Sequence, residues 1–192
     1  MESIFFVGGT RSGKSALAQR WAEAQSPRRL YLATCRVEDA EMAARVALHQ
    51  EARGTGWQCR EESLEPLTVL MEIRTGYYGT AEDGGNVVLL DCISLWIANL
   101  LAAGLSDEAV LERVQHLADT ISQWQEEGCG PSLAVVSSEV GSGIVPVTPL
   151  GRQYRDVLGK ANQILARACT RAVLVSCGLP LALKGTLPEC LL

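Results

Sequence analysis

No stretch of this chain is apolar for anything near the roughly 20 residues that a membrane-spanning helix needs, so no membrane insertion is expected. The N-terminal MESIFFVGGT lacks the basic start and long apolar segment of a secretory leader. An excess of positive charge is missing as well: 17 Lys and Arg stand against 22 Asp and Glu, for a formal net charge of −5. That balance offers no broad cationic face, and no nucleic-acid partner is expected. There is no Cys-x-x-Cys pair. The seven cysteines (Cys35, Cys59, Cys92, Cys129, Cys169, Cys177 and Cys190) are odd in number and irregularly spaced, which indicates neither a disulfide framework nor a zinc site. Several sit in apolar runs, where a free thiol behaves as a small hydrophobe. A reducing, cytoplasmic setting fits these absences. Repeats, low-complexity tracts and inter-domain linkers are absent too, so residues 1–192 read as a single domain.

What the chain does contain is enough apolar residue for a full core, 47% of 192 residues. Short apolar runs alternate with segments of helical period. Strands are expected over Ser3–Val7, Leu30–Thr34, Trp57–Arg60, Asn86–Asp91, Ser132–Ser137 and Ala172–Cys177, with an edge strand over Leu179–Lys184. Helices are expected from the first glycine turn to about Gln25, then over Glu38–Arg53, Glu65–Arg74, Leu95–Ala103, Ser106–Glu127 and about Gly151–Arg171. Gly76–Asn86 and Gly141–Pro149 read as glycine-rich loops. Continuous apolar strands separated by helices imply an α/β fold, with a mostly parallel central sheet and helices on both faces.

Between the first strand and the first helix lies Gly8-Gly9-Thr10-Arg11-Ser12-Gly13-Lys14-Ser15, which fits the phosphate-loop pattern G-x-x-x-x-G-K-[ST] in the context that pattern requires. Glycines let the backbone curl so that several N–H groups point at phosphate oxygens. The helix that follows adds the positive end of its dipole. Lys14 then reaches the β and γ phosphates, and the Ser15 hydroxyl is the expected Mg²⁺ ligand. Asp91 closes an apolar strand, the place where a P-loop enzyme holds its metal, directly or through water. These residues establish triphosphate binding and leave kinase, ATPase, GTPase and nucleotidyltransferase open.

The chain has only two histidines. His116 sits in a charged amphipathic segment and reads as a surface residue. His49 lies between Arg45 and Arg53 at i, i+4 and i+8, so on a helix the three share one face. Two guanidinium groups beside an imidazole suit phosphate binding, and they favour a neutral, nucleophilic ring near pH 7. The same spacing also fits a solvated face on which Glu41 pairs with Arg45 and His49 is structural. Glu139 has two readings as well. It follows an apolar strand and precedes a Gly-rich loop, as a base or metal partner would, and as a loop cap would.

Taken in order, the motifs resemble the bifunctional adenosylcobinamide kinase / adenosylcobinamide-phosphate guanylyltransferase family of bacterial cobalamin biosynthesis, nearly end to end. They begin with Gly8–Ser15, Tyr31–Thr34, Asp39-x-Glu41-Met42, Arg45-Val46-x-x-His49-x-x-x-Arg53-x-x-x-Trp57 and the pair Glu61–Glu62. They continue with Leu89–Leu101, Ser138-Glu139-Val140-Gly141-x-Gly143-Ile144-Val145-Pro146, Arg152–Asp156, Gly159–Gln163 and Gly178-Leu179-Pro180 with Lys184. Three departures stand out: Gly54 where the family usually has Pro, a longer loop at Tyr77–Gly85, and Ser138 where Asn is frequent.

The resemblance implies that His49 is the nucleophile of a covalent guanylyl-histidine. It implies nucleotide contacts at Gly8–Ser15, Ala33, Thr34, Cys35, Gln50, Glu51, Ala52, Arg53, Glu61 and Asp91, with Ser15 and Asp91 holding Mg²⁺ and Lys14 serving catalysis. ATP and GTP would be substrates, together with adenosylcobinamide and its phosphate, and the enzyme would be a homo-oligomer, reportedly a trimer. A monofunctional P-loop small-molecule kinase or ATPase, with His49 structural, is the alternative.

Overall fold

The computed structural model describes residues 1–36, 56–74 and 86–192. Seven strands form one sheet in the order β3-β2-β4-β5-β1-β6-β7. They are β1 (Ser3–Gly8), β2 (Arg29–Ala33), β3 (Trp57–Glu61), β4 (Val87–Asp91), β5 (Ser132–Ser138), β6 (Arg171–Ser176) and β7 (Leu179–Lys184). Every pairing is parallel except β6–β7. The described helices are α1 (Lys14–Gln25), α2 (Pro66–Arg74), α3 (Ile93–Ala102), α4 (Asp107–Glu126) and α5 (Pro149–Ala168). The helix expected over 38–53 lies outside the described residues, as does the expected loop at 76–86 except for Asn86.

The strands read as unbroken apolar runs because both faces of the sheet are covered. On β1, Phe5 and Val7 belong to one core while Ile4 and Phe6 belong to the other; on β4, Val88 and Leu90 alternate with Val87 and Leu89 in the same way. The first core takes the apolar stripes of α2, α3, α4 and α5, including Trp96 and Trp124. The second takes Leu17, Ala18, Trp21 and Ala22 of α1, closed by Leu191 of a short 3₁₀ turn at Glu189–Leu191. Helices therefore flank both faces.

Most strand ends shift by one residue and several helix ends by two or three, and two of these differences bear on the fold. The last helix stops at Ala168 rather than near Arg171, because Lys184 of β7 reaches across to its end: Nζ donates to the carbonyls of Arg167 (2.6 Å) and Cys169 (2.6 Å). A cation on the exposed carbonyls meets the negative end of the helix dipole and frees Arg171 to start β6. Helix α3 begins two residues early, at Ile93, with Cys92 as the N-cap between it and the strand-closing Asp91. All seven cysteines are free thiols, and no helix among the described residues is long and apolar enough to cross a membrane.

Candidate nucleotide-binding site

Parallel strands bring their C-terminal ends to one edge of the sheet, where open α/β folds bind ligands. Register places Gly8 opposite Ser138, Val136 opposite Asp91, and Ala33 opposite both Asp91 and Glu61. Neighbouring strands lie about 4.8 Å apart, so β4 runs roughly 10 Å and β3 roughly 19 Å from β1. An extended nucleoside triphosphate spans a comparable length. The edge thus orders the expected residues from the phosphate loop after β1, through Asp91 on β4, to Glu61 on β3.

The loop Gly9–Gly13 is built as a tight cradle. Ser12 N donates to Gly9 O (3.2 Å), Arg11 and Gly13 take positive φ (58° and 95°), and Lys14 Nζ donates to Gly9 O (3.1 Å). Two neighbours press on it. The peptide N–H of Gly178, in the β6–β7 turn, donates to Ser12 O (2.8 Å), and Glu139 N donates to Gly8 O (3.0 Å). A Cβ on Gly8 would stand 2.3 Å from Val175 O, and one on Gly13 would stand 3.2 Å from Gly178 Cα, which is why those positions need glycine. The Ser12 hydroxyl is buried and meets no hydrogen-bond partner. Ser15 sits in the first turn of α1, partly exposed.

At the end of β4, Asp91 is oriented by a neighbouring strand: Tyr31 OH donates to its Oδ2 (3.1 Å). The Asp91–Cys92 peptide is cis. Thr34 braces this corner completely. Its hydroxyl donates to Cys92 O (2.7 Å) and accepts from Cys92 N (2.9 Å), its N–H donates to Asp91 O (3.2 Å), and its carbonyl accepts from Asn99 Nδ2 (2.8 Å). Thr34 is fully buried, so its side chain acts through the corner. The Cys92 thiol is pushed up to about 11, first by burial and then by the Asp91 charge, with Lys14 among the groups pulling it back. Asp91 and Lys14 therefore act on the same thiol with opposite sign.

From that thiol runs a polar chain. Cys92 Sγ and Ser94 Oγ are 2.9 Å apart, Ser94 Oγ donates to Ser138 Oγ (3.2 Å), and Asn162 of α5 donates to Ser138 O (3.0 Å). Ser138 thus keeps a bonded place where Asn is usual. Glu139 caps its own loop: Oε1 accepts from Gly141 N (2.5 Å) and Ser142 N (3.2 Å). Of the acidic pair, Glu62 is occupied by the Glu65 and Leu64 N–H groups at the entrance to α2, which lower its pKa. Glu61 remains exposed at the sheet edge, and Cys35, two residues beyond the end of β2, is half-buried.

His49, Gln50, Glu51, Ala52, Arg53 and the flanking Arg45 lie outside the described residues. His116 is exposed on α4, as expected. Tyr31, Asn99 and Asn162 were not legible as site residues, because their partners lie 60, 65 and 24 positions away in sequence. Gly178 carried a weak signal, a Gly-Leu-Pro turn. A cavity of about 370 Å³ lined by Arg28, Trp57, Ile73 and Val87 opens at the opposite, N-terminal edge of the sheet, away from this chemistry.

The residue set suits a hard divalent cation such as Mg²⁺. No cluster of three His, Cys, Asp or Glu occurs among the described residues, so those residues form no all-protein cage. A single carboxylate and a hydroxyl facing a phosphate cradle leave the remaining positions to phosphate and water, the usual Mg²⁺ arrangement.

Comparison with known proteins follows the same line. The family described as cobinamide kinase / cobinamide phosphate guanyltransferase matches residues 4–183. The "Bifunctional adenosylcobalamin biosynthesis protein CobP" of Pseudomonas aeruginosa is 35% identical over 179 residues, 93% of this chain and 95% of that protein. The "Bifunctional adenosylcobalamin biosynthesis protein CobU" of Salmonella typhimurium is 35% identical over 195 residues, 94% of this chain and 99% of its own length. Among solved structures, a chain described as an ATPase domain aligns with a TM-score of 0.50 at 10% identity, over 90% of this chain and 68% of that one, a likeness of fold alone.

Proposed function

Because the chain belongs to the cobinamide kinase / cobinamide phosphate guanyltransferase family, we propose that residues 1–192 form one domain that performs both reactions on the phosphate cradle at Gly8–Ser15. The observation that carries this reading is the Gly8–Gly13 cradle, closed by Lys14, with the strand-closing Asp91 two strands away at the same C-terminal edge of the sheet.

In the kinase step the terminal hydroxyl of adenosylcobinamide attacks the γ-phosphorus of ATP or GTP. The bond from that phosphorus to the β-bridging oxygen breaks, the nucleoside diphosphate leaves, and the hydroxyl proton passes to solvent. Backbone N–H groups of the cradle and Lys14 stabilise the charge gathering on the phosphate oxygens. Ser15 and Asp91 would hold Mg²⁺, which neutralises charge on the β and γ phosphates when bound. Tyr31 keeps one carboxylate oxygen of Asp91, Oδ2, engaged.

In the guanylyl step an imidazole nitrogen of His49 attacks the α-phosphorus of GTP and pyrophosphate leaves. A phosphate oxygen of adenosylcobinamide phosphate then attacks the same phosphorus, the P–N bond breaks, and adenosylcobinamide-GDP forms. A phosphoramidate is reactive enough to pass its group onward. Arg45 and Arg53 flank His49 by spacing and suit the departing pyrophosphate. Ala33, Cys35, Gln50–Arg53 and Glu61 are assigned to the ribose and base end, and the active species is a homotrimer.

Incubation with α-³²P-labelled GTP tests the covalent step. Acid-labile, alkali-stable label on the wild-type chain is expected, with none on His49→Ala, while the variant still phosphorylates adenosylcobinamide. Label that persists on His49→Ala, or is absent from the wild type, defeats the guanylyl-histidine assignment.

A further inference from the structure

The nucleotide accounts for the cradle, but not for the wall beside it. From Val140 to Gly151 the chain runs twelve residues without a charge (VGSGIVPVTPLG), bounded by Glu139 and Arg152. Five large apolar side chains on this stretch face outward: Ile144 is 97% exposed and Val147 94%, with Leu150, Val145 and Val140 exposed as well. A patch of this kind on a folded surface marks a binding site far more often than an idle loop.

Its position is fixed relative to the phosphates. The loop starts where Glu139 N donates to Gly8 O, one hydrogen bond from the cradle itself. Its conformation is fixed too. Glu139 ties down Gly141 and Ser142, Arg152 Nη1 donates to the carbonyls of Pro146 (3.1 Å) and Val147 (2.7 Å), and Thr148 Oγ1 accepts from Gly151 N (3.2 Å) to cap α5. A Cβ on Gly151 would stand 2.8 Å from Pro146 Cβ, so loop and helix start are in close contact. Apolar groups held outward on a stiff loop lose little entropy when something covers them.

We propose that the Val140–Leu150 loop is the platform for the corrinoid, with Ile144 and Val147 lying against the ring of cobinamide and its phosphate. This rests on the cobinamide kinase and guanylyltransferase reading above. Three features fit that ligand. A corrin ring is a broad disc with apolar faces and methylated edges, which suits branched aliphatic side chains. Its rim carries neutral amides, which suits a loop that has no charge and a side-chain-free backbone at Gly143. The hydroxyl to be phosphorylated hangs from the ring on a short arm, so the ring must rest within a few bond lengths of the γ-phosphate, next to Gly8.

The test is the double substitution Ile144→Ser/Val147→Ser, assayed as full-length protein. Both positions are exposed, so thermal unfolding should match the wild type. Kinase assays with cobinamide and ATP are expected to give a KM for cobinamide at least tenfold higher. GDP affinity by calorimetry should stay within about twofold, and the sedimentation coefficient should not change. An unaltered KM for cobinamide overturns the proposal. A raised KM accompanied by a smaller sedimenting species also overturns it, because the loop is then an interface between copies of this chain. Wild-type protein that neither binds nor phosphorylates cobinamide removes the proposal together with the reading beneath it, whereas a failure confined to the variant leaves that reading intact.

Discussion

A single phenol orients the acid proposed to hold the metal. Tyr31 is buried on β2 with its ring edge-on to Trp57, 6.3 Å between centroids, and its hydroxyl donates to Asp91 Oδ2. Supporting hydrogen bonds of this kind orient a ligating carboxylate, and losing one weakens metal binding by about 10–100-fold. Tyr31→Phe keeps the ring packing and removes only the donor. It should raise the Mg²⁺ concentration for half-maximal kinase activity by roughly tenfold, and weaken Mn²⁺ binding to the GDP complex to a similar extent in an EPR titration. A lower kcat with unchanged Mn²⁺ affinity would show that the phenol does not act through the metal site. In sequence, Asp91 was legible as a strand-closing acid, whereas Tyr31 stood in the Tyr31–Thr34 motif with no role attached to its hydroxyl. The pairing arises only when β2 and β4 come into register across 60 positions.

Elements were far more legible than contacts, for a physical reason. Covered faces force apolar runs on β1, β4 and β5, and the P-loop pattern requires a strand before it and a helix after it. Where the reading drifted, a long-range side chain set the boundary. The helix ending at Ala168 was extended to Arg171 because nothing local in Cys169 or Thr170 announces a stop; Lys184, from β7, supplies it. Replacing that ammonium by an isosteric apolar chain, Lys184→Met, leaves two carbonyls without a donor and removes a cation from the helix C-terminus. A loss of roughly 1–2 kcal/mol is expected, seen as a Tm lower by about 2–4 °C per kcal/mol for a chain of this size. GDP affinity should not move, since Lys184 lies at the edge remote from the cradle. An unchanged Tm would mean that solvent satisfies those carbonyls equally well.

Across the whole molecule, the buried acids that matter are weak ones kept neutral. Burial raises the Cys92 thiol to about 11 and the Cys169 thiol to about 12, from an ordinary 9.0, and raises the Tyr154 phenol to about 12 from 10.0. These three groups join the layers of the fold. Cys92 lies where β4 turns into α3, Tyr154 OH on α5 donates to Ser94 O (3.2 Å), and Cys169 links α5 to β6. Because each pKa is higher in the folded state, the sign is fixed: below pH 9 both states hold their protons and stability is flat. Above pH 9 the unfolded chain releases protons that the folded one retains, so stability falls until the folded groups titrate in turn. Each buried thiol removes roughly 1 kcal/mol per pH unit in that window, or about 2–3 kcal/mol for the pair near pH 10. Urea unfolding of the wild type should therefore give midpoints that agree between pH 7.5 and 8.5 and drop clearly by pH 10. Cys92→Ala/Cys169→Ala should start from a lower midpoint, because two packed sulfurs are gone, yet lose less of it over the same range. If both proteins lose stability equally with pH, alkaline unfolding is governed by the breaking of surface ion pairs instead, and the buried thiols play no part in it.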